Sequence, residues 1–122
     1  MDGTSIHVSD ISVIGDAQVL FQEFDELTRR RYREASLGLA RDAWRTRGFG
    51  DFWGHALVAR GAAEVVLEPG LAIWDYAALE VIVEEAGGRV STFDGSPLTH
   101  GGSMLATNGT LHDEVLRRLS GG

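Results

Sequence analysis

The chain has 122 residues, 43% of them hydrophobic and 24% charged, a composition of an ordinary globular protein about one domain long. It has no cysteine, which excludes disulfides, thiolate zinc sites and cysteine nucleophiles. The formal net charge of −7 argues against a nucleic-acid partner, which needs a basic face to release counterions. No apolar run approaches the ~20 residues of a membrane span and no signal peptide opens the chain, so a cytoplasmic protein without a membrane partner is expected.

Taken in order, residues 5–14 alternate well enough to suggest a half-buried strand through Ile6 and Val8 toward Val13. Gly15-Asp16 breaks it, and Ala17 to Phe21 is a second short apolar run. Residues 25–46 read as helical, with Leu27, Tyr32, Leu37, Leu39, Ala40, Ala43 and Trp44 on the apolar side. The basic run Arg29, Arg30, Arg31 and Arg33 reads as a solvated face, and Gly38 weakens the continuity of the helix.

Arg47-Gly48-Phe49-Gly50 interrupts the helical pattern. Asp51 then opens a second helix, Phe52 to Arg60, that Gly61 ends. Ala63 to Leu67 reads as a short buried strand, stopped by Glu68-Pro69-Gly70 because proline cannot donate to a ladder. The next helix is the most legible feature of the chain. Asp75 is a good N-cap residue, and Ala77, Ala78, Leu79, Val81, Ile82, Val83 and Ala86 cover most of the circumference. Glu80 and Glu84 leave only a narrow polar stripe, with Glu85 beside it. Gly87 and Gly88 close the helix. A helix this apolar is expected to be covered on more than one side, as between a sheet and another layer.

Arg89 to Phe93 is strand-like, Asp94-Gly95 is a turn signal, and Met104 to Thr107 is another short strand. Thr110 is placed to cap a last helix, with Val115, Leu116 and Leu119 facing inward. Strands and helices alternate through the second half, which predicts a single α/β domain of layered sheet and helices over residues 1–122.

Several carboxylates fall at element ends. Asp51 begins one helix, Glu68 ends a strand and Asp75 begins the next helix. Only Pro69–Trp74 separates Glu68 from Asp75, so both can face one crevice at the carboxyl end of a sheet, where α/β proteins bind ligands. Carboxylates there suit a hard cation such as magnesium, and a helix N-terminus suits a phosphate. On spacing alone, plain helix capping is the favoured reading of Asp51 and Asp75, and a surface-loop glutamate that of Glu68. The four histidines, His7, His55, His100 and His112, show no metal-binding spacing and read as surface or packing positions. Thr99-His100-Gly101-Gly102-Ser103 lacks the lysine and the strand–loop–helix setting of a phosphate loop.

Trp74-Asp75-Tyr76-Ala77-Ala78 followed by Glu85-Ala86-Gly87-Gly88 resembles the C-terminal signature of the inositol monophosphatase family, W-D-x-A-A…E-A-G-G. Val58-Ala59-Arg60-Gly61, Asp94-Gly95 and Ala106-Thr107-Asn108 extend the resemblance on both sides. Arg47-Gly48-Phe49-Gly50-Asp51-Phe52-Trp53 looks more narrowly like the histidinol-phosphatase branch; the wider family has small residues there. The resemblance implies an α/β fold like that family's C-terminal half. It also implies magnesium-dependent hydrolysis of a small phosphorylated substrate, histidinol phosphate in histidine biosynthesis. The enzyme alternatives are inositol monophosphatase first and another small sugar or nucleotide phosphatase behind it.

Under the resemblance Asp75 is a catalytic magnesium ligand, Glu68 binds the organic part of the substrate, and Asp51 lies beside the substrate. The family's D-P-x-D-G-T motif and an upstream glutamate, which supply further magnesium ligands, have no counterpart. The Asp2-Gly3-Thr4 tripeptide lacks the preceding Asp-Pro pair. The chain is therefore expected to be the C-terminal half of a phosphatase, incomplete alone. Its expected associations are a separate N-terminal half or a homo-oligomer, and the alternative of another class is a non-catalytic truncated module.

Overall fold

The computed structural model describes residues 6–21, 32–48, 58–70, 73–99 and 102–121. Five strands and three α-helices make up these segments. In chain order they are β1 (Gln18–Phe21), α1 (Arg33–Asp42), β2 (Arg45–Arg47), β3 (Val65–Glu68), α2 (Ile73–Glu85), β4 (Arg89–Ser91), β5 (Met104–Thr107) and α3 (His112–Leu119). A single 3-10 turn at Ile14–Asp16 precedes β1. The strands form one sheet in the order β2-β1-β3-β5-β4. β1 pairs parallel with both β2 and β3, whereas β5 pairs antiparallel with β3 and with β4. β4 therefore points the same way as β1, β2 and β3. The predicted layered α/β domain is the one observed.

The central strands are buried on both faces, and alternate residues feed two separate cores. Val19, Phe21, Val65, Leu67 and Leu105 pack with Leu39 of α1 and with Leu111, Val115 and Leu119 around α3. Tyr32 meets Phe93 edge-to-face within this layer, ring centroids 5.0 Å apart. Leu20, Val66, Met104 and Ala106 face the other way, against Leu79 and Val83 of α2, Ala86 just past its end, and Val58 and Ala59. The result is a three-layer sandwich with α1 and α3 on one face and α2 on the other.

Several sequence expectations change here. Residues 6–13 belong to no ladder. Val8 N–H bonds Ala86 O at 3.0 Å, and the Asn108 amide donates to Ser9 Oγ and Ile11 O. The segment is held by the end of α2 and by the Asn108 side chain, without strand pairing. The helix expected over 25–46 ends at Asp42. Ala43 turns extended, and the N–H groups of Trp44 and Arg45 both reach Ala17 O, which starts β2 as the sheet edge. Residues 25–31 of that expectation lie outside the described residues. Leu37 and Trp44, expected in the core, are exposed. The side-chain cap expected from Thr110 is absent; Asn108 Oδ1 instead accepts the Leu111 N–H at 3.1 Å, one turn earlier. Of the helix expected from Phe52 to Arg60, only Val58 onward is described, and its end matches, with Gly61 at φ 78°.

The end of α2 shows why its two glycines stand where they do. Gly87 has φ 97°, its N–H bonds Glu84 O, and the Gly88 N–H bonds Val83 O, the paired bonds of a Schellman stop. Gly88 has a second reason. A Cβ there would stand 2.4 Å from Thr107 O and 2.7 Å from Val83 Cγ1, so only glycine lets α2 turn so tightly over β5.

Candidate functional site

The strand directions bring four carboxyl ends to one edge of the sheet: Phe21 of β1, Arg47 of β2, Glu68 of β3 and Ser91 of β4. The connection from β1 leads outward to β2, and the connection from β3 leads the opposite way, over β5 to β4. The chain thus reverses its direction of travel across the sheet between β1 and β3. This is the switch point at which open α/β sheets bind ligands. Glu68 stands at that position.

Glu68 is half-buried and pairs with Met104 across the β3–β5 ladder. Met104 belongs to the core beneath α2, so the register places Glu68 on the face of the sheet that α2 covers. Arg47 pairs with Leu20, another residue of that core, and so occupies the same face at the outer strand. The sequence reading took Arg47 as part of a break between helices and of the stretch resembling the histidinol-phosphatase branch, but not as a strand residue at the site. The signal that could have found it is the alternation Arg45-Thr46-Arg47 just before a glycine. An all-polar strand offers no apolar period to detect.

α2 rises from the same edge, four residues after β3. Asp75 is its third residue, which corrects the expectation of an N-cap. The helix has already begun at Ile73. Glu68 and Asp75 are thus brought to one edge, as their spacing predicts. Asp51 lies outside the described residues.

Magnesium draws on one or two carboxylates together with phosphate oxygens and water. Among the described residues no group of three or more His, Asp or Glu side chains could hold a metal ion. The described part of the chain supplies positions for oxygen donors but does not assemble a metal cluster.

Several other described acidic residues and His112 hold the fold together, while His55 and His100 lie outside the described residues. Glu64 is buried at the opposite edge, where its Oε1 accepts the Gln18 N–H at 2.6 Å and ties β1 to β3. Asp94 closes the turn after β4. Its carboxylate accepts the Thr92 hydroxyl and the Ser96 N–H, and the Thr92 bond foremost holds its pKa low. Asp42 sits between Arg41 and Arg118, whose hydrogen bonds, Arg41's first, lower its pKa to about 2. His7 is exposed, and it lies outside any strand.

His112 is buried inside a closed chain of hydrogen bonds. Thr107 Oγ1 accepts the Gly109 N–H, and Ser91 Oγ–H donates to Thr92 O. Those bonds leave Ser91 Oγ to accept from His112 Nε2–H at 2.8 Å and the Thr107 hydroxyl to donate to Nδ1 at 2.9 Å. The network assigns the neutral imidazole. Burial first, and the nearby Arg89 second, lower its pKa to about 4, with Asp113 opposing.

Comparison with known proteins agrees with this architecture. Residues 8–121 match the model of the inositol monophosphatase family, and the chain belongs to that family. It is 44% identical, over 100% of its own length, to histidinol-phosphatase of Mycobacterium tuberculosis, of which it spans 48%. It is 41% identical, over 94% of its length, to histidinol-phosphatase of Streptomyces coelicolor, of which it spans 43%. Among solved structures, inositol monophosphatase from Anabaena (Nostoc) sp. PCC 7120 superposes with a TM-score of 0.84 at 31% identity. That match covers 98% of this chain and 49% of the other. The chain thus spans about half the length of the relatives it matches.

Proposed function

We propose that the chain is the C-terminal half of a histidinol-phosphatase, contributing to magnesium-dependent hydrolysis of histidinol phosphate once the other half of the fold is present. The observation that carries this reading is the convergence of Glu68 and the Asp75-bearing first turn of α2 on the switch-point edge of the sheet. The histidinol-phosphatases match at 44% and 41% identity over 100% and 94% of the chain, whereas an inositol-1-monophosphatase match at 48% covers only 52% of it, and the wider match favours the first substrate over the second.

In this reading the Asp75 carboxylate serves magnesium, with the remaining ligands outside this chain. The ion would hold and polarise the phosphate of the substrate. Glu68 and Asp51 face the organic part, where two carboxylates suit the ammonium group of histidinol phosphate. The reading is tested on this chain joined in one polypeptide to the half of the Mycobacterium tuberculosis relative that it does not span. Asp51→Asn should raise KM for histidinol phosphate at least ~10-fold, one charge-assisted hydrogen bond of about 1.5 kcal/mol, and leave inositol phosphate hydrolysis nearly unchanged. Equal losses on both substrates would remove Asp51 from substrate selection.

A further inference from the structure

The corner between β5 and α3 holds the chain's only asparagine, and a glycine follows it. Asn108 is buried, and its carboxamide is committed to three hydrogen bonds. Nδ2 donates to Ser9 Oγ at 3.2 Å and to Ile11 O at 2.8 Å, while Oδ1 accepts the Leu111 N–H at 3.1 Å. The two donated bonds hold residues 8–11 as a strap at the end of the sheet away from Glu68, where the Asn108 N–H also meets Glu64 O. Val8 of the strap packs on the core beneath α2, and Ile11 packs on the opposite core. Among the described residues the strap's other hydrogen bond is the Val8 N–H to Ala86 O. The strap therefore depends on one side chain.

Asparagine is chemically labile, and most so before glycine, which has no Cβ to hinder ring closure. The glycine nitrogen loses its proton and bonds to the asparagine Cγ; the Cγ–Nδ2 bond breaks, and ammonia leaves with that proton. Water then opens the cyclic imide to an aspartyl or isoaspartyl residue. Water is the only co-reactant. In this fold the Gly109 N–H is held by Thr107 Oγ1 at 2.9 Å, so the attacking nitrogen is engaged. We propose that Asn108–Gly109 is a self-modifying site, locked by the Thr107 hydroxyl, whose deamidation irreversibly releases the strap. Both products lack the two N–H donors that hold Ser9 and Ile11. The aspartyl product keeps an oxygen for the Leu111 N–H, so α3 stays capped while the strap is let go. Its added negative charge also faces Ile11 O, another acceptor. Release uncovers part of both cores at the end of the sheet opposite Glu68. The inference is independent of the functional reading above, since it uses neither substrate nor metal.

Conversion is followed in mildly alkaline buffer by mass spectrometry of the tryptic peptide that carries residue 108, where the exchange of NH2 for OH has a single source. The folded chain should convert at least ~100-fold more slowly than the same chain in urea, because reaction waits for the corner to open. Thr107→Val removes the oxygen that holds Gly109 and should convert at least ~10-fold faster than the wild type without urea. Thr107→Ser keeps that oxygen and should convert at the wild-type rate. Ser91→Ala breaks the other side-chain bond of His112 without touching Gly109, and so reports general loosening. A Thr107→Val rate equal to that of the wild type, or equal acceleration by Ser91→Ala, would overturn the lock. Release is read on Asn108→Asp with thermolysin, which cuts before apolar residues. Cutting within residues 8–11 should be at least ~10-fold faster than in the wild type, with α3 cut no faster. An unchanged strap rate would overturn the release, and so would equal acceleration in α3.

Discussion

His112 shows how one buried side chain ties acid sensitivity to the fold. Its neutral ring both donates and accepts, joining β4 through Ser91, β5 through Thr107 and α3 through its own backbone. A second ring proton would face a Thr107 hydroxyl that already receives the Gly109 N–H. With its folded pKa near 4 and an ordinary value of 6.5, the unfolded chain binds the proton first. Its contribution is therefore fully present above pH 6.5, falls as the pH drops from 6.5 toward 4, and levels off below. Urea unfolding at steps across that window should show a loss of about 3 kcal/mol. His112→Gln, whose amide can reproduce both bonds without a charge, should flatten the dependence. A variant with the wild-type slope would place the acid sensitivity elsewhere. Sequence reasoning reached only the statement that His112 was a surface or packing position; its partners are 5 and 21 residues away, in two different strands. Gly88 is a second residue with a sharp prediction. Gly88→Ala should cost about 2 kcal/mol or more in urea unfolding, because the added carbon meets the backbone oxygen of Thr107 and the Val83 methyl. A loss below about 0.5 kcal/mol would mean that the α2 stop can relax.

At the scale of elements, legibility followed the strength of the apolar pattern. β3, β5, α2 and α3 stood out because their inward residues repeat at strand or helix spacing and turn residues bound them. The α2 stop was readable from Gly87-Gly88 alone. β2 was hidden because all three of its residues are exposed and polar, so burial imprints nothing on its sequence. Residues 6–13 erred the other way, since their alternating sequence is held by Asn108 and the end of α2 rather than by strand pairing. The edge site was partly legible. Glu68 and Asp75 could be placed together from the length of their connection, whereas Arg47 required the parallel register of β1 and β2. α1 supplies a prediction of its own. Ser36 is buried with an Oγ that finds no hydrogen-bond partner among the described residues. Ser36→Ala should stabilise the fold by about 1 kcal/mol in urea unfolding, by removing an unpaired hydroxyl and favouring the helix. Destabilisation would show that the hydroxyl is satisfied after all.

For the whole molecule, the organising fact is a three-layer sandwich in which, among the described residues, α2 is covered on its sheet side and exposes Val81 and Ile82 on the other. The sequence of α2 anticipated two-sided coverage, and the length of the relatives explains what is expected on the other side. No described helix is long and apolar enough to cross a membrane, so the apolar face of α2 is too short to be read as a span. The same incompleteness accounts for the site. Glu68 and Asp75 stand at one edge, yet no cluster of three metal-binding side chains forms among the described residues. Catalysis and the covering of α2 are, on this account, two consequences of adding one missing unit. The most direct test is release of inorganic phosphate from histidinol phosphate with magnesium, by the chain alone and by the chain joined to the complementary half. The account predicts no release above background by the chain alone and turnover by the joined protein that Asp75→Asn reduces at least ~100-fold, as loss of a metal-binding carboxylate should. Turnover by the chain alone, abolished by Asp75→Asn, would contradict it.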